Sequence, residues 1–342
     1  MSTKLCAVVT TIQLPTPAVL QLSERLMALD AQLIVVGDRK GPASFDVAGA
    51  EFFDLARQFA LPFDLARRGP TGHYTRKNVG YLEAIARGAE CIYETDDDNA
   101  PLASWQLRDA QATAFDATAQ GWINAYRCFS AERIWPRGLP LAEIVPSMAA
   151  PIALAPQAST TRAAIQQGLA NGSPDVDAIW RLTLDAPFYF DVAPSVRLRR
   201  GAWCPFNSQS TWWWPEAFPL MYLPSHCSFR MTDIWRSFVA QRCLWEIGQG
   251  VVFHAAEVIQ DRNAHDLMRD FSDEIPGYQG NERIRQVLED LTLPTGVEHV
   301  GTNLRTCYRA LVAAGFFSND ELTLVDTWLA DLAQAHRQPH EA

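Results

Sequence analysis

The sequence predicts an α/β fold built on parallel βαβ units, and three observations carry that expectation. A β-rich run, Leu5-Cys6-Ala7-Val8-Val9-Thr10-Thr11, is followed by one helical segment and then by the continuous apolar strand Leu33-Ile34-Val35-Val36. A second helix precedes a third strand, Cys91-Ile92-Tyr93-Glu94. The length of 342 residues, 48% of them hydrophobic, supplies ample material for a core. Strand, helix and strand within about 35 residues make parallel neighbours joined by a right-handed crossover. Loops at the carboxyl ends of such strands are the default ligand site.

The elements follow in order. Met1 to Thr11 reads as a strand, without the basic start and small-residue cleavage site of a signal peptide. Thr16 supplies a helix N-cap and Pro17 the first helical position, and Val19, Leu22, Leu26 and Leu29 recur at helical spacing. Gly37-Asp38 closes the next strand. After a looser stretch Thr75 caps a helix with apolar Val79, Leu82 and Ile85, and Gly88 stands where a C-terminal cap belongs. The strand that follows ends in Thr95-Asp96-Asp97-Asp98-Asn99, so three loops converge: Thr10 to Ile12, Gly37 to Lys40, and Asp96 to Asn99. From Pro136 to Pro224 the chain is rich in Pro, Gly and Trp and poor in periodicity, as in an elaboration of the same domain. Thr232 is the expected N-cap of a largely buried helix carrying Ile234, Trp235, Phe238, Val239, Leu244 and Trp245. Val251-Val252-Phe253 is a further strand, and the tail from about Asn281 to Ala342 reads as helical with a fraying end.

Composition narrows the function. Lys and Arg total 29 against 39 Asp and Glu, a formal charge of -10. That balance argues against holding nucleic acid by phosphate neutralisation, so an anionic ligand needs local basic groups or a metal. No run approaches the length of a membrane span, and the expectation is a soluble, cytoplasmic protein. The seven cysteines are scattered and never in a Cys-x-x-Cys pair, which fits reduced thiols; Cys6, Cys91 and Cys243 read as small buried hydrophobes. No Gly-x-Gly-x-x-Gly or Gly-x-x-x-x-Gly-Lys-Ser/Thr stretch follows a strand, which argues against dinucleotide and P-loop chemistry.

Three consecutive carboxylates at the end of a buried strand repel one another, and a divalent cation removes that cost. Aspartate oxygens suit Mg or Mn, which complete their shells with water and substrate phosphates. In an extended segment Asp96 and Asp98 point to one side as an Asp-x-Asp pair while Asp97 faces away. The alternative is a solvated acidic turn. Arg76-Lys77-Asn78 at a helix start forms a diphosphate site or a surface salt-bridge pair. Asp38 accepts hydrogen bonds from a base or ribose, or is a plain turn residue.

These motifs resemble a known family. The segments Thr10-Thr11-Ile12, Val36-Gly37-Asp38, Thr75-Arg76-Lys77-Asn78-Val79-Gly80-Tyr81-Leu82 and Glu94-Thr95-Asp96-Asp97-Asp98-Asn99 are similar, in order, to the STELLO glycosyltransferases. So are Trp135-Pro136-Arg137-Gly138-Leu139-Pro140-Leu141, Pro174-Asp175-Val176-Asp177-Ala178, Asn207-Ser208-Gln209 and Arg242-Cys243-Leu244-Trp245-Glu246-Ile247-Gly248. The Arg-Lys-Asn helix, the triple Asp and Arg230-Met231-Thr232-Asp233-Ile234-Trp235 resemble, more distantly, the reversibly glycosylated polypeptides, which act as UDP-arabinopyranose mutases.

Both resemblances imply a GT-A fold, Rossmann-like, with a UDP-sugar donor and an Asp-x-Asp site for Mn or Mg. They imply a glycosyltransferase domain over residues 1–260, with a nucleotide-sugar half to about 130 and an acceptor half beyond it, and a helical extension over 261–342. Thr10, Thr11, Ile12, Asp38, Arg76, Lys77, Asn78, Asp96 and Asp97 are then expected at the donor, and Asp96 and Asp98 at the metal. His254, just after its strand, is a further metal or phosphate ligand or else a structural histidine. The resemblance makes Asp233 the base that deprotonates a glycan or other hydroxyl acceptor, and it implies inversion; otherwise Asp233 caps its helix. Arg137, Asp175, Asp177, Arg181, Asn207 and Gln209 are polar residues of the matching motifs that face donor or acceptor, although Asp175 and Asp177 also suit a hydrated turn after Pro174. Trp212, within Trp212-Trp213-Trp214, packs on a sugar or in the core. The expected activity is sugar transfer; a UDP-sugar mutase and a non-catalytic partner of polysaccharide enzymes are the alternatives. The plant family's membrane anchor, additional domain, Golgi location and cellulose-synthase partner are not expected to carry over.

Overall fold

The computed structural model describes residues 4–149, 151–184, 186–262 and 266–337. Residues 1–3 of the expected first strand and 338–342 of the expected helical tail lie outside the described residues. Strand β1 (Leu5–Thr11), helix α1 (Pro17–Met27) and strand β2 (Gln32–Gly37) form the first βαβ unit, with β1 and β2 parallel from Cys6 beside Gln32 to Thr11 beside Gly37. Thr16 caps α1 as expected, its Oγ1 accepting the Val19 N–H at 3.2 Å. The helix stops before Leu29, which is exposed.

The looser stretch contains β3 (Ala50–Phe53), α2 (Leu55–Ala60) and α3 (Asp64–Arg68), ahead of α4 (Lys77–Ala86) and β4 (Cys91–Thr95). Gly80 allows α4 to lie against the sheet, since a Cβ there would meet Val8 Cγ1 at 2.6 Å and Val36 Cγ2 at 2.7 Å. Thr75 is not the cap of α4. A 3-10 turn over Tyr74–Arg76 comes first, and the His73 ring accepts the Thr75 N–H at 3.2 Å. Gly88 adopts a positive φ of 75° behind the helix, as a C-terminal cap does.

Beyond β4 come β5 (Asn99–Pro101), β6 (Gln111–Ala117), β7 (Gly121–Trp122), α5 (Leu141–Ala149), β8 (Ser159–Arg162) and β9 (Ile165–Gly172). Then follow α6 (Ala178–Thr183), β10 (Val196–Leu198), β11 (Ala202–Trp203), β12 (Ser210–Trp213), α7 (Thr232–Leu244) and β13 (Val252–Gln260). Helices α8 (Leu267–Glu289), α9 (Val300–Ala313) and α10 (Asn319–Arg337) close the chain. Thr232 is the first residue of α7 rather than its cap, because a 3-10 turn over Phe229–Met231 runs directly into the helix.

The main sheet has the order β3-β2-β1-β4-β12-β9-β13-β10-β6-β8, with β5 paired to β13. Strands β3, β2, β1 and β4 are parallel, β12 runs antiparallel between β4 and β9, and β9 and β13 are parallel. Two reversals restore direction, so β1, β2, β4, β9 and β13 all end at one edge. That edge is where a ligand meets an open α/β sheet. This mixed sheet with C-terminal helices is consistent with the GT-A-like fold that the resemblance implies.

The poor periodicity around β9 and β12 has a physical cause. Both strands are covered on both faces, so alternation carries no signal. Gln166, Gln167, Ser210 and Thr211 are all buried. Buried partners satisfy them: Gln167 Nε2 donates to Ser210 O at 3.0 Å, Thr211 Oγ1 to Gln167 Oε1 at 3.1 Å, and Gln166 Nε2 to Asp109 O at 2.8 Å. The hydrophobic core runs without a break from β1 to Leu332 and Ala335 of α10. Asp331 of α10 accepts the N–H groups of Asp64 and Leu65 at 3.1 and 2.7 Å, capping the otherwise uncapped α3. All seven cysteines are free, and burial pushes Cys6 up to about 12, far from a nucleophile's range. Among the described residues no helix is long and apolar enough to cross a membrane.

Candidate functional site

A cavity of about 500 Å³ opens at the shared strand edge. One wall comes from the three loops that the sequence brings together. Thr10, Thr11 and Ile12 end β1, Asp38 and Lys40 follow β2, and Asp96, Asp97 and Asp98 follow β4. The acidic triplet does not continue as an extended strand. The chain turns at Asp97 and Asp98, so strand alternation fails and Asp97 also lines the cavity. Its Oδ2 accepts Thr11 Oγ1 at 2.6 Å, while its carbonyl accepts the Thr16 hydroxyl.

Asp96 Oδ1 accepts Lys77 Nζ at 2.7 Å and Tyr74 Oη at 2.6 Å. Among the described residues no hydrogen bond reaches its Oδ2, which remains available to a ligand. Asp98 takes Gln260 Nε2 at 2.9 Å and Asn99 Nδ2 at 3.1 Å. Burial first, then the neighbouring Asp96, pushes the Asp98 carboxyl up to about 7, and burial raises Asp97 as well. Crowded, partly desolvated carboxylate oxygens are the donor set that a hard divalent cation relieves. Among the described residues no group of three or more His, Cys, Asp or Glu side chains converges on a metal position. Asp96 and Asp98 could therefore hold Mg or Mn as a pair, with water and substrate oxygens completing the shell.

The basic triplet behaves differently from expectation. Lys77 serves the site through Asp96 rather than by facing the cavity. Arg76 borders the cavity, but its Nε and Nη2 donate to Gln58 Oε1 at 2.8 and 2.6 Å and its Nη1 to Ala66 O at 2.8 Å, so its guanidinium braces the loop. Asn78 is turned away entirely. Its side chain exchanges two 2.9 Å hydrogen bonds with the Leu223 backbone. Asp38 is saturated by backbone donors, Oδ1 taking Gly72 N and Arg39 N at 2.7 Å and Oδ2 taking His73 N at 2.8 Å. It thereby folds the 72–74 segment over the cavity.

The facing wall centres on Arg137. Its Nε and Nη2 grip Asp175 Oδ1 and Oδ2 at 2.7 and 2.9 Å, and Nη2 also reaches both oxygens of Asp233 at 3.0 Å. One guanidinium thus serves two buried carboxylates. Burial tends to raise Asp175, but the bidentate Arg137 outweighs it and holds this carboxyl low; burial raises Asp233, which has the looser contact. Environments that drive two acids apart are what separates a structural carboxylate from a proton acceptor. Asp233 sits in the first turn of α7, and α7 is fixed from beneath by a buried pair, Arg236 Nη1 to Glu94 Oε1 at 2.8 Å. Arg181 and Gln209 also line the cavity, Arg181 donating to Pro174 O at 2.6 Å.

Beyond Lys77 and Asn78, four more expected site residues lie elsewhere. His254 is enclosed between Ser195 Oγ at 2.6 Å and Gln166 Oε1 at 3.0 Å, and burial holds its imidazole well below its ordinary value. It is a structural histidine, set back along β13 from the strand's cavity end. Asp177 caps α6, accepting Trp180 N and Trp135 Nε1 at 2.8 Å. Asn207 organises a turn, its Oδ1 accepting Gln209 N at 3.0 Å. Trp212 is core: its Nε1 donates to buried Glu257 at 2.7 Å, as Trp213 donates to Glu94 at 2.9 Å. Conversely, Tyr74, Phe229, Arg230, Gln260 and Arg262 line the cavity without having been picked out from the sequence. Gln260 ends β13 and Arg262 follows it, and the interspersed His254, Glu257 and Gln260 hid the length of that strand.

Comparison with known proteins bears on the same elements. The sequence model of the STELLO glycosyltransferases matches residues 230–338, which run from the cavity-lining Arg230 through α10. Two relatives from Arabidopsis thaliana extend the match. Probable glycosyltransferase STELLO1 is 27% identical over 340 residues, 90% of this chain and 42% of that protein. Probable glycosyltransferase STELLO2 is 30% identical over 247 residues, 66% of this chain and 32% of that protein. The chain is STELLO-like. It spans less than half the length of these STELLO relatives.

Proposed function

We propose that this STELLO-like chain is a glycosyltransferase that moves a sugar from a UDP-sugar to a hydroxyl acceptor, with Mn or Mg held by Asp96 and Asp98. The observation that carries this reading is one cavity with the acidic turn on one wall and Asp233 on the other. The names of the two plant relatives support the reaction class. Thr10, Thr11 and Ile12 would meet the nucleoside, and Lys40 gives the donor's diphosphate a cation on an otherwise acidic wall.

Asp233 would take the proton from the acceptor hydroxyl as that oxygen bonds to the anomeric carbon. The bond from the anomeric carbon to the diphosphate oxygen breaks, and UDP leaves with the electron pair. Arg137 orients Asp233, and a single base facing the acidic turn supports inversion. A bound divalent cation would stabilise the charge on the departing diphosphate.

Two variants test the reading. Asp98→Ala is expected to keep its own unfolding midpoint but to lose the thermal stabilisation that UDP and Mn together confer; an unchanged shift overturns the metal assignment. Asp233→Asn should retain that stabilisation and lose about 10²-fold or more in UDP release from donor plus acceptor. A fully active Asp233→Asn enzyme removes Asp233 as base. Ring interconversion of UDP-arabinopyranose without an acceptor would replace transfer by the mutase alternative.

A further inference from the structure

A second groove, of about 770 Å³, adjoins the candidate site. The two share Gln13, Asp98, Arg181 and Gln260, so they meet at the acidic turn. From there the groove runs past Gln21 and Ser173 to Pro187 and Tyr189. Its chemistry is unlike that of the first cavity. Amide and hydroxyl side chains, Gln13, Thr16, Gln21, Ser173 and Gln260, alternate with Pro, Ala and Ile, and its charged side chains are few: Asp98, Asp261 and Arg181.

Tyr189 is 61% exposed although its neighbours Phe188 and Phe190 are buried at 6% and 8%. The segment is held in place from below. Gly172 and Phe188 exchange backbone hydrogen bonds of 2.8 and 2.9 Å, and Phe190 N donates to Asn171 Oδ1 at 2.9 Å. Phe188 and Phe190 stack edge to face at 5.0 Å, and Phe190 does the same with Tyr126 at 5.2 Å. The two anchored rings therefore fix the backbone so that the ring between them stands outward. Among the described residues Tyr189 has neither a hydrogen bond nor a ring contact, so its face is free. A pre-organised aromatic platform beside amide and hydroxyl groups recognises a ring that has both an apolar face and an equatorial rim of hydroxyls.

We infer that this groove is an extended subsite for a neutral oligosaccharide, whose reacting hydroxyl enters the first cavity past Gln13 and Gln260 while a more distant sugar ring stacks on Tyr189. The inference rests on the proposed transferase reading, and it names the acceptor as a chain of neutral sugars rather than a single ring or an anionic molecule. Gln260 and Gln209 couple the two spaces, since Gln209 Nε2 donates to Gln260 Oε1 at 2.9 Å and Gln260 Nε2 to Asp98.

The test is titration of the whole chain with cello- and malto-oligosaccharides of one to six sugars, followed by calorimetry or ligand-observed NMR, in wild type and Tyr189→Ala. Affinity for at least one series should rise with length, and Tyr189→Ala should lower it at least fivefold for the longer members while leaving the monosaccharide unaffected. Binding that is absent in both series, independent of length, or unchanged in Tyr189→Ala overturns the subsite. Stabilisation by UDP and Mn is measured in the same samples. Its loss in wild type counts against the transferase reading, whereas its persistence without oligosaccharide binding counts against the groove alone.

Discussion

The two walls of the cavity are made in different ways. The wall that carries the acidic turn is local: each of its loops follows directly from a parallel strand, and Asp38 braces it by taking the N–H groups of Arg39, Gly72 and His73. The facing wall is assembled from segments far apart in the chain, through Arg137 with Asp175 and Asp233 and through Arg230 with Glu274 of α8. The first wall is partly wetted, Asp96 keeping 25% of its side chain exposed, whereas Glu274 is fully buried. The sheet thus supplies one wall by topology, and the other depends on desolvated charge pairs and on the C-terminal helices. Loss of a partner should therefore cost far more on the second wall.

The sharpest way to break this contrast is Arg137→Met. It leaves two buried carboxylates side by side without the cation that hydrogen-bonds both, with only the less direct charges of Arg181, Arg230 and Arg236 nearby, and removing one member of a buried ion network costs about 3–5 kcal/mol. Urea unfolding should show the midpoint falling accordingly. Lys77→Met is the matching first-wall variant, and it should cost less because Asp96 can recover hydration. Equal losses would mean that the two walls do not differ in kind.

A smaller effect is expected for Glu274→Gln. Glu274 accepts Arg230 Nε at 2.9 Å, Ala178 N at 2.7 Å and Tyr278 Oη at 2.6 Å. The amide keeps the shape and one acceptor but loses the charge opposite Arg230, a change of about 2 kcal/mol for a hydrogen bond to a charged group. Arg230 is a cavity residue, so KM for the acceptor should rise while stabilisation by UDP and Mn stays unchanged. A fall in donor stabilisation instead would place Arg230 on the donor side and dissolve the division of the walls.

The same contrast explains what could be read in the sequence. The Thr16 cap, the Gly88 terminus and the place of the acidic triplet at the end of β4 were legible because each is a local arrangement of a few consecutive residues, although the turn that also brings Asp97 into the cavity was not. Residues of the second wall were legible only as polar positions in matching motifs. Asp175 and Asp177 show why: they stand two apart, yet Asp175 meets Arg137 in the cavity while Asp177 caps α6. Direction at such a turn is fixed largely by Trp135 and Arg137, which lie far from Pro174-Asp175 in sequence. His254 looked functional because it follows a strand, and Trp212 because aromatic faces pack on sugar rings. Both instead face a sheet covered on both sides, where buried partners, Ser195 and Gln166 for one and Glu257 for the other, absorb their polarity. Phe253 looked like a strand end because His254, Glu257 and Gln260 interrupt the apolar run, yet β13 continues to Gln260 and delivers it to Asp98.

Asp38→Ala should have the smallest effect on stability and a clear one on the donor. Its three accepted hydrogen bonds come from backbone N–H groups near the surface, which return to water when the carboxylate is removed, so the cost should be about 1 kcal/mol. The loss should instead appear as motion. Gly72, at φ 68°, and His73 lead into Tyr74, whose Oη meets Asp96, so loosening this turn frees one of the groups that hold the acidic turn. Hydrogen exchange at Gly72 and His73 is expected to quicken, and UDP with Mn should bind more weakly, while exchange in α7 around Asp233 stays unchanged. Asp38→Asn, which keeps one acceptor oxygen, should lie between wild type and Ala. Quickened exchange that spreads into α7 would show the walls to be one cooperative unit, with the local wall holding the distant one in place.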